Sequence, residues 1–348
     1  MENITNILSE NIKTKRIEKG YSQDELSSLS GVERSQISRI EKGLVNPRAE
    51  TIAQIASALE LDVSELFTQQ KKYRIHPFVK WAGGKTQLLD ELVKQMPKKF
   101  NDYYEPFIGG GALLFKVQPQ KAFINDLNGE LLSVYKCLQS KKNFELLKKE
   151  LEMHEKNHSE EYFMYIRGLD QSEEFKAMPL YKKAARMIYL NKACFNGIYR
   201  VNSSGYFNVP TGKKKAVVCY DRNTFDNLRS YFYDSDIKIS HLDFEKAVAG
   251  AKAGDFVYFD PPYDDWDDKP TFKDYTPNSF TSNDQIRLFE CFKALSDRGV
   301  YVMLSNNNTS LIRKLFKDFY IKVVPARRMI NANGSGRGVV EEVIITNY

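Results

Sequence analysis

Cysteine is scarce in this chain: four residues in 348, at Cys137, Cys194, Cys219 and Cys291, with no short-spaced pair among them. That pattern excludes a disulfide framework and a cysteine-built zinc centre, and the four read as plain thiols. Long apolar runs are missing as well. None approaches the roughly 20 residues that cross a bilayer as a helix, and the opening MENITNILSENIKTK lacks a signal-peptide core. A cytoplasmic protein is expected. Two cofactor-loop signatures are also incomplete. FVKWAGGK (78–85) has a glycine pair and a lysine without Walker spacing, and GGGALL (109–114) puts Leu114 where a dinucleotide fingerprint needs glycine. A dinucleotide ligand is disfavoured.

What is present is an uneven positive charge. The formal net charge is +6, yet residues 1–67 hold eight Lys/Arg against eleven Asp/Glu, so the basic excess lies downstream. Between Lys192 and Lys215 stand Lys192, Arg200, Lys213, Lys214 and Lys215 with no acid, interleaved with Phe195, Tyr199, Tyr206 and Phe207. Cations among aromatics suit nucleic acid, because phosphate attracts the charge and bases stack on rings. A solvated hairpin is the alternative. The length leaves room for two or three domains.

The first 67 residues read as short helices at 3–19, Ser22 to Leu29, Glu33 to Glu41, Arg48 to Leu59 and Ser64 to Phe67. Ser22 with Glu25 three residues on forms a capping box, and Gly31 suits a tight turn. Ile37 and Ile40 fall on the core face of the next helix, which turns Ser35, Gln36 and Arg39 outward, near the start of a helix placed to enter a major groove. YSQDELSSLSGVERSQISRIEKGLVNPRAETIAQIASALELDVSELF resembles the Cro/phage-repressor helix-turn-helix family over its whole length. The acidic balance leaves two roles open, operator binding or a tether and dimerisation module. Residues 68–76 read as a linker.

The second region is carried by YFDPPY (258–263). Phe256 to Phe259 reads as a buried strand, and the two prolines fix the chain after it, so that Asp260 is held at a strand's C-terminal edge, where open α/β sheets bind ligands. An ordinary strand exit would look similar, so the neighbours decide. Glu105 and Phe107 precede the glycines from Gly109 in YYEPFIGGG, Asp126 closes a further strand in KAFINDLN, and Trp81 and Lys85 lie in FVKWAGGK. Carboxylates at Glu105, Asp126 and Asp260 beside the faces of Trp81 and Phe107 suit a ribose-bearing cation better than a polyanion. S-adenosylmethionine has that chemistry. Asp260 and the Pro261 carbonyl could then accept the two N–H groups of an exocyclic amine, with Pro262 stiffening the turn and Tyr263 stacking on the base. Such a base must leave the duplex. No metal is required.

From Phe78 onward the order FVKWAGGK, EPFIGGG, insert, DPPY, SFTSNDQ resembles a Dam-type (D12 class, α-group) DNA adenine-N6 methyltransferase. The resemblance implies cofactor contacts at Trp81, Lys85, Asp126 and Asp260, with Asp243 and Phe244 on the adenine side. It implies a target-recognition insert, about 129–220, whose hairpin (195–215) reads DNA. Arg200 would contact the first guanine of GATC, Ile198 a thymine methyl, and Phe195 and Asn196 the space near the flipped base. Lys80, Pro210, Lys213 and Lys214 would lie on phosphate or flanking bases. Val201 and Tyr206 are expected to flank a four-residue turn, Asn202 to Gly205. The acidic run 264–269 departs from the pattern and reads either as a flap anchored by Trp266 or as a solvated loop. Arg327, Arg328 and Arg337 are candidate backbone grips.

The expected architecture is therefore an all-α helix-turn-helix domain (1–67), a linker (68–76) and an α/β, Rossmann-like methyltransferase domain (77–348) acting on double-stranded DNA. A homodimer aided by the first domain, association with the nucleoid, and a cognate restriction endonuclease or mobile-element setting are the implied context. The competing readings are a repressor on a non-catalytic methyltransferase scaffold, an enzyme of another target sequence, and an RNA methyltransferase.

Overall fold

Apolar spacing near the N-terminus produces helices where it should in the computed structural model, which describes residues 4–67, 72–81, 83, 88–264, 280–327 and 339–348. Helices α1 (Ile4–Glu18), α2 (Gln23–Ser30), α3 (Arg34–Glu41) and α4 (Ala49–Ala58) and a short 3-10 turn (Val63–Phe67) enclose Leu26, Ile37, Ile40 and Ile55. Ser22 and Glu25 form the reciprocal cap of α2, and Gly31 ends it with φ 71°. Glu41 is buried and accepts from Arg16 and Gln23, which locks α1 and α2 onto α3. Ser35, Gln36 and Arg39 are exposed on α3.

Residues 1–72 form one unit and 73–348 another. Part of the stretch read as a linker belongs to the second. The Tyr73 amide donates to Gln118 Oε1 and its carbonyl accepts from Gln118 Nε2, both at 2.8 Å, while its ring packs on Tyr231. Its polar composition hid this, because the partners lie far along the chain.

Among the described residues the second unit is built on seven strands: β1 (Tyr103–Glu105), β2 (Lys121–Asn125), β3 (Asp236–Ser240), β4 (Phe256–Phe259), β5 (Tyr301–Asn307), β6 (Tyr320–Arg327) and β7 (Val339–Thr346). Their order is β3-β2-β1-β4-β5-β7-β6, with β7 antiparallel to both neighbours and the first five parallel. Strand periodicity sorts the core into two faces. Tyr103, Ile124, Phe256, Tyr258 and Met303 enter one cluster; Tyr104, Val257, Phe259, Val302 and Leu304 enter the other. The second face is covered by the helices Ser282–Asp297 and Ser310–Leu315.

The first face continues without a break into the insert. Leu131 and Tyr135 of the helix Gly129–Gln139, Leu147 and Leu151 of Lys141–Lys156, Phe163, and Met187 to Leu190 of Leu180–Ala193 all join that cluster. At its centre Arg186, 1% exposed, bonds Glu130 at 2.7 and 2.8 Å, Asp170 at 2.8 Å and the carbonyls of Ile166 and Arg167. A buried ion cluster of this kind stabilises only while complete. Arg186→Ala is expected to lower the unfolding free energy of the full chain by about 3–5 kcal/mol, because two carboxylates lose their partner in the interior; denaturant titration followed by tryptophan fluorescence measures it.

Candidate active site

Three carboxylates arrive together because three apolar strands end in acids. Glu105 closes β1, Asp126 follows β2 and Asp260 follows β4, and β1 lies between the other two strands. The chain steps outward from β1 through β2 to β3 and then crosses back to β4 on the other side of β1, so the strand order reverses between β1 and β4 and opens a crevice at this edge.

Each acid has a distinct setting. Glu105 is 2% exposed and accepts the Tyr103 phenol at 2.7 Å. Asp126 accepts the backbone N–H of Gly109 at 3.0 Å and that of Asn128 at 2.8 Å. Burial nonetheless holds the Asp126 carboxyl above its ordinary pKa, with those amides opposing the shift. Asp260 Oδ1 accepts from Ser305 Oγ at 2.9 Å. Pro261 is buried, and the Pro262 carbonyl accepts from Gln285 Nε2 at 3.1 Å, so the turn is anchored from the helix behind it. Tyr263 is half-buried and its phenol donates to Glu342 Oε2 at 3.0 Å; burial and then the charges of Asp260 and Glu342 push its pKa well up. It is a fixed neutral donor.

The glycine turn forms the floor. Gly109 has φ 46° and Gly111 φ 71°, and a Cβ on Gly109 would stand 2.7 Å from Trp81 Cδ1. Tyr135 donates to the Gly109 carbonyl at 2.8 Å. Trp81 stacks on Tyr199 at 5.4 Å and 24°, and the Tyr199 phenol donates to Glu130 at 3.2 Å. Phe107 is half-buried in an aromatic group with Phe244, Phe259 and Phe280.

Two residues expected at the cofactor already have protein partners. Phe244 is only 4% exposed, packed between Phe107 and the Arg287 guanidinium 5.0 Å from its ring, so it backs the aromatic wall and Phe107 lines it. Asp243 caps the helix Phe244–Ala247 and takes a two-pronged contact from Arg287 at 3.0 and 3.1 Å. Lys85 lies outside the described residues. Of the acidic run, Asp264 is folded in: it is 6% exposed, its carboxylate accepts Thr309 Oγ1 at 2.7 Å, and Asn306 and Asn307 bind its backbone. Asp264 itself is therefore not solvated. Trp266 and residues 265–269, and likewise Arg328 and Arg337, fall outside the described residues.

The hairpin alternates by period two. Tyr199, Val201, Phe207 and Val209 are buried, while Ile198, Arg200, Tyr206, Asn208 and Pro210 turn outward to differing degrees. Its bridge pairs Val201 with Phe207, one residue beyond the expected Tyr206. Asn202 Oδ1 accepts the N–H groups of both Ser204 and Tyr206, at 3.0 and 2.9 Å, and Gly205 adopts φ 82°, which lengthens the turn. Arg200 Nε donates to Asn208 Oδ1 at 2.8 Å. Phe195 is 55% exposed and its N–H donates to the Pro210 carbonyl, while Asn196 adopts φ 57°. Lys80, Lys213 and Lys214 are exposed, and the Lys214 ammonium donates to the Lys192 carbonyl. Burial pulls the pKa of Lys192 down, with Lys80 and Lys214 adding to it, a sign of converging positive potential.

The family model described as D12 class N6 adenine-specific DNA methyltransferase matches residues 81–330. This chain belongs to that class. A helix-turn-helix model matches residues 12–66. Among curated relatives, the chain is 45% identical over 280 residues to the Type II methyltransferase M1.LlaDCHI of Lactococcus lactis subsp. cremoris, covering 80% of this chain and 98% of that protein. It is 37% identical to the Type II methyltransferase M.MjaIII of Methanocaldococcus jannaschii, covering 79% and 99%. It is 31% identical to the DNA adenine methylase of Escherichia coli K12, covering 77% and 93%. D12-class methyltransferases use S-adenosylmethionine, and the acids, the aromatic wall and the glycine cradle fit a cationic nucleoside.

Several residues that build this D12-class site escaped the sequence reading. Asn125 bonds the Pro106 carbonyl and both backbone groups of Leu242, tying the β1 exit to the Asp243 segment. Asn191 bonds both backbone groups of Lys80 and the Gly197 carbonyl, joining the FVKW stretch to the hairpin base. Both are carboxamides inside apolar elements, the one signal that could have found them. Gly109→Ala should weaken S-adenosylmethionine binding at least tenfold in calorimetry, since a Cβ there strains a left-handed backbone and displaces Trp81; unchanged affinity would remove the glycine turn from the cofactor site.

Proposed function

We propose that this adenine methyltransferase acts at GATC in duplex DNA, with Asp260 and the Pro261 carbonyl receiving the two N–H groups of the target amine. The observation that supports the site choice is Arg200 on the outer face of the hairpin, its Nε engaged by Asn208, which suits an end-on guanidinium presented to O6 and N7 of the first guanine. Ile198 beside it offers an apolar surface to a thymine methyl. Phe195 and Asn196, on a left-handed turn at the hairpin base, are set to occupy the space that an extruded adenine leaves.

S-adenosylmethionine, when bound, supplies a methyl group activated by a sulfonium. Trp81, Phe107, Gly109, Asp126 and Asp260 are the residues that would hold it, with Lys85 and Glu105 close in sequence to that set and Asp243 and Phe244 supporting the wall. The chain's own part in catalysis is orientation. An adenine amine is a poor nucleophile while its lone pair is shared with the ring, and acceptors aimed at both N–H groups hold the nitrogen so that its electron density points outward. Tyr263, held by Glu342, would pack against the base. Lys80, Lys192, Lys213 and Lys214 would meet phosphate without reading sequence.

The exposed Ser35, Gln36 and Arg39 on α3 support a second DNA contact by the N-terminal unit, as an operator-binding or tethering module that could also pair two copies. The Type II names of two relatives support a restriction–modification setting with a partner endonuclease. DNA from cells expressing the chain should resist an endonuclease blocked by adenine methylation in GATC and yield to one that requires it. Arg200→Ala should cost about 1–3 kcal/mol of discrimination at the first guanine while phosphate-driven affinity persists. Unprotected GATC in cells whose DNA nonetheless carries N6-methyladenine would reject the target and keep the chemistry.

A further inference from the structure

The hydroxyl of Ser305 on β5 occupies a place that no motif marks. In the parallel register Phe259 pairs with Leu304, so the next step along sets Asp260 beside Ser305. Ser305 is fully buried and its Oγ donates to Asp260 Oδ1 at 2.9 Å. On its other side Ser305 Oγ lies 2.9 Å from the phenol of Tyr258, a residue 1% exposed. A serine hydroxyl has one hydrogen. With that hydrogen on Asp260, the contact to Tyr258 requires the phenol to donate. The direction of the chain is thereby fixed: Tyr258 to Ser305 to Asp260. Burial, and next the charge on Asp260, keep the Tyr258 phenol protonated, so the first donor does not switch off.

We infer that Ser305 is a positioning residue for methyl transfer, holding the Asp260 carboxylate in one rotamer through the chain that begins at Tyr258. This rests on Asp260 being the acceptor of the target amine. The prolines after Asp260 fix its backbone, but they leave the side chain two rotatable bonds; the Ser305 contact supplies the missing constraint. It also commits Oδ1 to a protein donor before DNA arrives, so the carboxylate need not reorganise when the adenine enters. Tyr263, whose phenol donates to Glu342, borders the same group, close to Ser305, Tyr258 and Asp260.

The test is single-turnover methyl transfer by the full chain, with cofactor and DNA affinities measured alongside. Ser305→Ala is expected to slow the transfer on the order of 10- to 100-fold while both affinities stay within about twofold of wild type, as misplacement of a reacting group does. Tyr258→Phe alone should slow it less, because Ser305 can still donate, and adding it to Ser305→Ala should change nothing more, since its effect passes through Ser305. A Ser305→Ala rate equal to wild type, a loss that merely follows lost cofactor affinity or thermal stability, or full additivity of the two substitutions would overturn the inference. Asp260→Ala in the same assay reads the underlying assignment separately: surviving activity there would remove Asp260, and the role of Ser305 with it.

Discussion

Parallel register between β1, β2 and β4 is the constraint on which this molecule depends. Side-by-side pairing of Tyr103 with Ala122 and with Phe256 fixes where each strand ends, and an acid stands at or just past each end. Three negative groups in one crevice are unfavourable without compensation. The chain supplies it locally, through the Tyr103 phenol on Glu105, backbone amides on Asp126 and the Ser305 hydroxyl on Asp260. A cationic ligand adds to that compensation, which explains why such an edge suits a sulfonium and not a phosphate.

The insert between β2 and β3 is no appendage to this edge. Its helices share one hydrophobic cluster with a face of the sheet, and Arg186 binds it together from inside. Two further contacts reach from insert to crevice: Tyr199 stacks on Trp81, which covers Gly109, and Asn191 holds Lys80 and Gly197 at once. Packed aromatics and a buried carboxamide thus hold the hairpin base beside the glycine turn.

Much of this was legible in the chain itself, for identifiable reasons. The capping box at Ser22 and the left-handed Gly31 are local, so their structure follows from neighbours within four residues. Apolar runs ended by Asp126 or Asp260 announce strand ends because burial stops where charge begins. The burial of Phe244 was not legible, because composition does not tell a ring that lines a wall from one behind it. Asp264 looked solvated because it stands beside other acids, and its partners Asn306, Asn307 and Thr309 come 42, 43 and 45 residues on. Asn125, Asn191 and Ser305 were silent because their partners come from distant strands or loops; for Asn191 and Lys80 the separation is 111 residues.

The central claim is chemical: a carboxylate at the end of β4 directs methylation of an adenine amine in DNA. Mass spectrometry of nucleosides released from unmethylated duplex DNA, after incubation with the full chain and S-adenosylmethionine, tests it most directly. The account expects N6-methyladenine from the wild-type chain, none from Asp260→Ala, and no N4-methylcytosine from either. N6-methyladenine formed at an undiminished rate by Asp260→Ala, or methylation confined to cytosine, would contradict it.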